Sequence, residues 1–135
     1  MADIRKVTPE FSVAPQIEVA DVALAKSMGF VKLINNRPDG EVPGQPSSVE
    51  MEAAARAEGL DYVHIPFVGR PSPDQAVAVA REAEAAGGPV LAFCRSGTRS
   101  ITAWSLGQAQ GGRRSREELV ELAANAGYDL AAVLA

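Results

Sequence analysis

The sequence predicts an α/β domain with a largely parallel sheet. Two observations carry this: short apolar runs alternate with Ala-rich helical stretches along the chain, and the run Pro89-Val90-Leu91-Ala92-Phe93 ends in a tight turn that opens directly into a helix. Strands are expected near 11–13, 30–34, 62–65 and 90–93. Helices are expected near 19–28, 48–58, 73–86, 99–110 and 116–126, with a last short one from about 129. Gly29 and Gly127 sit where C-terminal caps belong, and Ser47-x-x-Glu50 and Ser115-x-x-Glu118 have the form of capping boxes. Ser72-Pro73-Asp74-Gln75 is a third, with proline at the first helical position. The longest irregular stretch, Asn35 to Pro46, follows a strand and is rich in Pro, Gly and Asn, so it reads as a surface loop at the edge of the sheet where strand ends carry sites.

A chain of 135 residues fits one domain with a hydrophobic core, and residues 1–135 read as a single unit without repeat or linker. The formal charge of −4 argues against nucleic acid or an anionic membrane as the main partner. Arg95, Arg99, Arg113 and Arg114 are local exceptions to this acidity. One cysteine excludes an internal disulfide and a multi-cysteine metal site, and His64, in the extended run Tyr62-Val63-His64-Ile65, cannot build a zinc site unaided. No metal or cofactor is expected. No apolar segment resembles a secretion signal or a membrane span, so a reducing cytoplasm is the default expectation.

The lone cysteine is where chemistry is expected. Cys94 ends the apolar run, and Arg95-Ser96-Gly97-Thr98-Arg99-Ser100 follows. Backbone N–H groups of residues 95–99 would converge as an anion-binding nest aligned with the dipole of the next helix. Gly97 lets the chain turn without a Cβ clash, and Arg99 can return a guanidinium fork over the loop. Cysteines in such surroundings have pKa values of about 3.5–7.5 instead of about 8.5, so Cys94 is expected to be a thiolate nucleophile. A small buried hydrophobe ending a strand is the alternative, but it leaves the rest of the motif unaccounted for.

Four segments together resemble a known family: Ser12-Val13-Ala14-Pro15-Gln16-Ile17, Ile34-Asn35-Asn36-Arg37-Pro38-Asp39-Gly40-Glu41, Tyr62-Val63-His64-Ile65-Pro66, and Cys94 to Ser100. From Phe11 to about Ala109 the chain resembles the bacterial phosphatase-like domain named for its occurrence in beta-lactamase hydrolase-like proteins. The resemblance implies a three-layer α/β/α fold like that of the protein tyrosine and dual-specificity phosphatases, with a central, mostly parallel sheet of about four to five strands and the nucleophile loop, here residues 94–100, at a strand C-terminus. Members of the family are described both as phosphatases and as sulfur transferases.

Two departures from the phosphatase pattern point to sulfur. Tyrosine-type phosphatases place five residues between cysteine and arginine, whereas four separate Cys94 from Arg99; at about 3.3–3.6 Å of contour per residue, the cradle should be tighter. Cys-x4-Arg instead resembles the rhodanese loop, which holds a persulfide. Dual-specificity phosphatases also place an acid after the strand preceding the long helix, and His64 to Pro71 contains no carboxylate. Cleaving a phosphate monoester gains about 10²–10⁴ from a positioned acid, whereas sulfite or a thiolate departs without a proton.

Asp39 could approach from the Asn35–Pro46 loop as a substitute acid, against a simple Pro-Asp-Gly turn; Asp74 could too, against complementing a helix dipole. Arg37 is a candidate pocket wall or a loop salt bridge, and Arg95 could add positive field or pair with Asp39 or Glu41. Ser96 and Thr98 are expected to shape the turn and to offer hydroxyls to an anion; Ser100 could stabilise the thiolate. Trp104 reads as core.

The expectation is therefore a sulfurtransferase in which Cys94 takes sulfur from thiosulfate or a persulfide, carries it as a persulfide and passes it to a thiol acceptor. The alternatives are a phosphatase acting on a phosphoester through a phosphocysteine, and a non-catalytic module that binds an oxyanion or a thiol.

Overall fold

In the computed structural model, which describes residues 2–135, five strands and five helices follow the order β1(Arg5–Thr8), β2(Phe11–Ala14), α1(Asp21–Ser27), β3(Lys32–Asn35), α2(Ser48–Ala57), β4(Asp61–His64), α3(Pro73–Ala85), β5(Val90–Phe93), α4(Thr98–Gln110) and α5(Arg116–Asn125). The strands form one sheet in the order β1-β2-β5-β3-β4, parallel except for the β1–β2 pair. The fold is a mostly parallel α/β/α sandwich, as expected.

Strand residues alternate between two cores, as a period of two requires. Val13, Ile34, Val90 and Ala92 face a cluster with Val79, Ile101, Trp104 and Leu119, which places α3, α4 and α5 on one side. Ala14, Leu33, Leu91 and Phe93 face Val22, Ala25, Met51 and Ala55, which places α1 and α2 on the other. Trp104 is indeed core: its ring stacks on Phe11 at 4.6 Å between centroids. Lys32, buried at the start of β3, reaches the Glu82 carboxylate at 2.6 Å and so ties α3 to the sheet.

The register decides where the site lies. Ala14 pairs with Phe93, Phe93 with Asn35, and Asn35 with His64, so four parallel strands end level at one edge. β5 is central, and the segments following β2, β3, β4 and β5 all leave from that edge. This is the crevice at which open α/β sheets gather their sites.

The local signals behave unevenly. Ser47/Glu50 and Ser72/Gln75 close reciprocal capping boxes. Ser115 accepts from the Glu118 N–H, but the Glu118 carboxylate turns to Arg114 at 2.9 Å, so only half of that box forms. The expected helix from 129 is a single turn, closed by Leu134 N–H donating to the Leu130 carbonyl. β1 was not expected, because Arg5-Lys6-Val7-Thr8 is too short and polar to read as apolar; it is an antiparallel edge strand, where basic residues discourage further pairing.

Helix α4 is buried from Ser100 to Gly107. It lies so close to α3 that a Cβ on Gly107 would run into the Ala76 carbonyl oxygen and the Ala80 methyl. Helix propensity alone favours alanine there by about 1 kcal/mol, whereas overpacking costs about 1–3 kcal/mol. Gly107→Ala is therefore expected to destabilise the fold by up to about 2 kcal/mol, read as a lower urea midpoint; a raised midpoint would show that the two helices can part freely.

Candidate active site

Cys94 follows the last residue of β5 and is fully buried. The chain then turns through Gly97, at φ 92°, which caps α4. That left-handed conformation directs the Gly97 N–H to the Cys94 Sγ at 3.1 Å. A backbone donor is thus aimed at the sulfur, beside the positive end of a helix of 13 residues.

The outer side of the turn is strapped down. The Tyr128 hydroxyl donates to the Ser96 carbonyl at 2.9 Å, and burial raises the phenol's pKa, which keeps that proton in place. A Cβ on Gly97 would strike this hydroxyl, so glycine is required both for its φ and for the close approach. Ser96 Oγ donates to Thr98 Oγ1 at 3.0 Å, so both hydroxyls shape the turn.

Arg99 lies in the first turn of α4. Its Nη1 donates to Glu41 Oε2 at 2.9 Å and to the Phe67 carbonyl at 3.0 Å, and Nη2 donates to Glu41 Oε1 at 2.7 Å. A guanidinium has five N–H groups in a fixed plane. Three are committed here. The two left over, Nε–H and the second hydrogen on Nη2, are adjacent, and among the described residues no oxygen engages them. The guanidinium pKa is raised chiefly by hydrogen bonding to Glu41, with a further contribution from Cys94. Glu41 therefore grips one end of the guanidinium and leaves its Nε/Nη2 edge, a second two-pronged fork, without an oxygen partner among the described residues.

Glu41 itself is held from two sides. Arg37, 3% exposed, donates from Nε to Glu41 Oε1 at 2.8 Å and from Nη1 to Gln16 Oε1 at 3.1 Å. Hydrogen bonding from Arg99, followed by that from Arg37, lowers the Glu41 pKa to about 2 against the cost of burial. The Asn35–Pro46 loop that carries this pair is well tied. Asn35 Oδ1 accepts from the Arg37 N–H, His64 Nε2 bonds the Arg37 carbonyl at 2.8 Å, and Gln45 bridges the Pro38 carbonyl and the Glu41 N–H.

Several expected roles are corrected. Asp39 does not face the loop; its Oδ1 accepts from the Ser48 N–H at 2.8 Å and caps α2. Asp74 is exposed in the first turn of α3, where it complements the helix dipole. Ser100 is buried with its hydroxyl donating to Asn36 Oδ1 at 2.8 Å, so its proton is committed away from the sulfur. Arg95 is exposed and pairs with neither Asp39 nor Glu41. Arg37 is a buried ion pair backing Glu41. Sequence reasoning missed Glu41 as the partner of Arg99, and missed Gln16, Asn36, Phe67 and Tyr128; the only available signal was that most of these follow strands ending at one edge. Among the described residues no group of three His, Cys, Asp or Glu side chains could hold a metal. No helix there is long and apolar enough to cross a membrane.

The sequence and the fold are both similar to those of known proteins. The family described as beta-lactamase hydrolase-like protein, phosphatase-like domain, matches residues 3–111. The chain belongs to this family. It is 37% identical over 128 residues to the beta-lactamase hydrolase-like protein of Agrobacterium fabrum, covering 94% of this chain but only 30% of that protein, so it spans under a third of that relative's length. A candidate phosphatase of Neisseria meningitidis has a TM-score of 0.84 at 28% identity, covering 97% of this chain and 93% of the other. Tk-PTP in its active form has a TM-score of 0.68 at 22% identity, covering 92% and 84%, a likeness of fold alone. The phosphatase-like fold thus stands, while the expected rhodanese-type sulfur transfer finds no counterpart among these relatives.

Glu41 has a lower pKa folded than unfolded, so the native state binds fewer protons at this group. Its contribution is full above about pH 4.5 and is lost as pH falls towards about 2. For a carboxylate still 20% exposed this is worth on the order of 2 kcal/mol after solvent screening. Glu41→Gln should lower the urea midpoint clearly at pH 7 and by much less near pH 2.5. A gap that stays constant with pH would mean that the carboxylate's charge is not what binds the two arginines.

Proposed function

We propose that this domain is a phosphatase that hydrolyses phosphate monoesters through a phosphocysteine at Cys94. The observation that supports it best is that Arg99, in the first turn of the helix that follows the buried Cys94, keeps its Nε/Nη2 edge free of any oxygen partner among the described residues. Two guanidinium donors and the N–H groups of the 95–99 turn match the three non-bridging oxygens of a phosphoryl group, whose charge is what catalysis must stabilise.

In the first step the thiolate attacks phosphorus in line, the P–O ester bond breaks, and the alcohol portion leaves with the bonding electron pair. In the second, water attacks the phosphocysteine, the P–S bond breaks, and inorganic phosphate and the thiolate are regenerated. The carboxylate nearest the arginine, Glu41, is held ionised by two guanidiniums and cannot donate a proton. The leaving group must therefore depart as a stable anion. Aryl phosphates satisfy this, and alkyl phosphates are expected to be slower by a factor of about 10² or more, the rate that a positioned acid supplies elsewhere.

A second reading, sulfur transfer through a Cys94 persulfide, is kept alive by the four-residue spacing between Cys94 and Arg99 and by the same lack of an acid. The two separate in one experiment. With 4-nitrophenyl phosphate, acid quench should trap a phosphoryl adduct on Cys94, turnover should be blocked by vanadate, and Cys94→Ser should be inactive. If thiosulfate instead yields a one-sulfur mass gain and no phosphoester is cleaved, the sulfur reading replaces this one.

A further inference from the structure

Beside the nucleophile loop lies an open groove of about 500 Å³ whose lining includes Val68, Arg70, Arg95, Arg99, Thr102 and Val133. Its volume is in the range typical of small-ligand sites. Three arginines against one glutamate, Glu41, leave this groove positive in a chain whose net charge is −4. Arg99 and Glu41 are bound to each other. Arg70 and Arg95 are different: both are exposed, and among the described residues neither forms an ion pair or side-chain hydrogen bond. Val68, 74% exposed, and Val133 add apolar surface to the lining of the same groove. The same groove thus offers apolar surface and two arginines without a side-chain partner among the described residues.

We infer that the groove selects small aryl phosphates that carry a second anionic group: the phosphoryl group at Cys94, the apolar ring against Val68 and Val133, and the second anion between Arg70 and Arg95. The inference rests on the phosphatase reading for its chemistry and adds to it the substrate class. A leaving group that departs without a proton is an aryl oxide, and its ring needs an apolar wall. A second carboxylate or phosphate supplies the counter-charge that the two arginines lack. Contacts of this kind, at exposed arginines, are weakened by salt.

The test compares kcat/KM for 4-nitrophenyl phosphate with that for a carboxylated nitrophenyl phosphate at low salt. The carboxylated substrate should be preferred at least fivefold, and the preference should fall below twofold in Arg70→Ala/Arg95→Ala and in 0.5 M sodium chloride. No preference in the native protein, or one that survives in the double variant, would overturn the inference. Binding of phenylphosphonate and carboxyphenylphosphonate to Cys94→Ser, followed by calorimetry, separates the two levels. Tighter binding of the carboxylated compound that depends on Arg70 and Arg95, with neither ester cleaved by the native protein, would remove the phosphatase reading and keep the groove's selectivity. Equal binding of the two would remove the selectivity whatever the activity.

Discussion

The site depends on one carboxylate held between two guanidiniums. Glu41 binds Arg99 through both oxygens and Arg37 through one, and all three side chains are largely buried. Buried charges are costly unless paired and fully hydrogen-bonded, and removing one member leaves an unpaired charge behind. This makes the arrangement close to all-or-none. It also explains the residue types: only an arginine can satisfy a carboxylate with one edge of its plane and keep a second edge for another oxyanion, whereas a lysine presents a single point charge. The Phe67 carbonyl takes a third hydrogen, so the plane of the guanidinium is fixed as well as its position.

The sheet supplies the rest of the geometry. Because β2, β5, β3 and β4 end level, the segments carrying Gln16, Cys94, Arg37 with Glu41, and Phe67 are delivered to one place without a long excursion. The Asn35–Pro46 loop, irregular as it is, is held by side-chain hydrogen bonds to its own backbone and to His64, so it positions Glu41 as firmly as a regular element would. His64 serves there as a hydrogen-bonding strand residue, in keeping with its extended surroundings in the sequence.

Much of this was legible from the chain itself. The α/β alternation, the central strand before Cys94, the turn at Gly97 and the capping serines are encoded locally, within a few residues, where periodicity and turn chemistry are informative. What was not legible is encoded at a distance. Glu41 and Arg99 are 58 residues apart and Tyr128 and Ser96 are 32 apart, and no local pattern says that such pairs meet. Asp39 and Glu41 were equally acidic in sequence; only the fold sends one to the Ser48 N–H and the other to the guanidiniums. The sequence argument for sulfur chemistry rests on the number of residues in the loop and on the missing acid, and the missing acid is equally compatible with an aryl phosphate. Loop length constrains a cradle less than the directions of its N–H groups and of the arginine's open edge, which become visible only once the chain is folded.

The strap from Tyr128 carries a consequence of its own. This tyrosine lies beyond the residues matched by the family, yet its hydroxyl bonds the carbonyl of Ser96 and its ring is covered by Arg5 from the edge strand, 5.4 Å from the ring centroid. An edge strand and the segment after α5 therefore act together as a clasp on the turn around the sulfur. Loosening that clasp would reach Ser96 before it reached the parallel strands, so the turn can lose its shape while the sandwich beneath it is still intact.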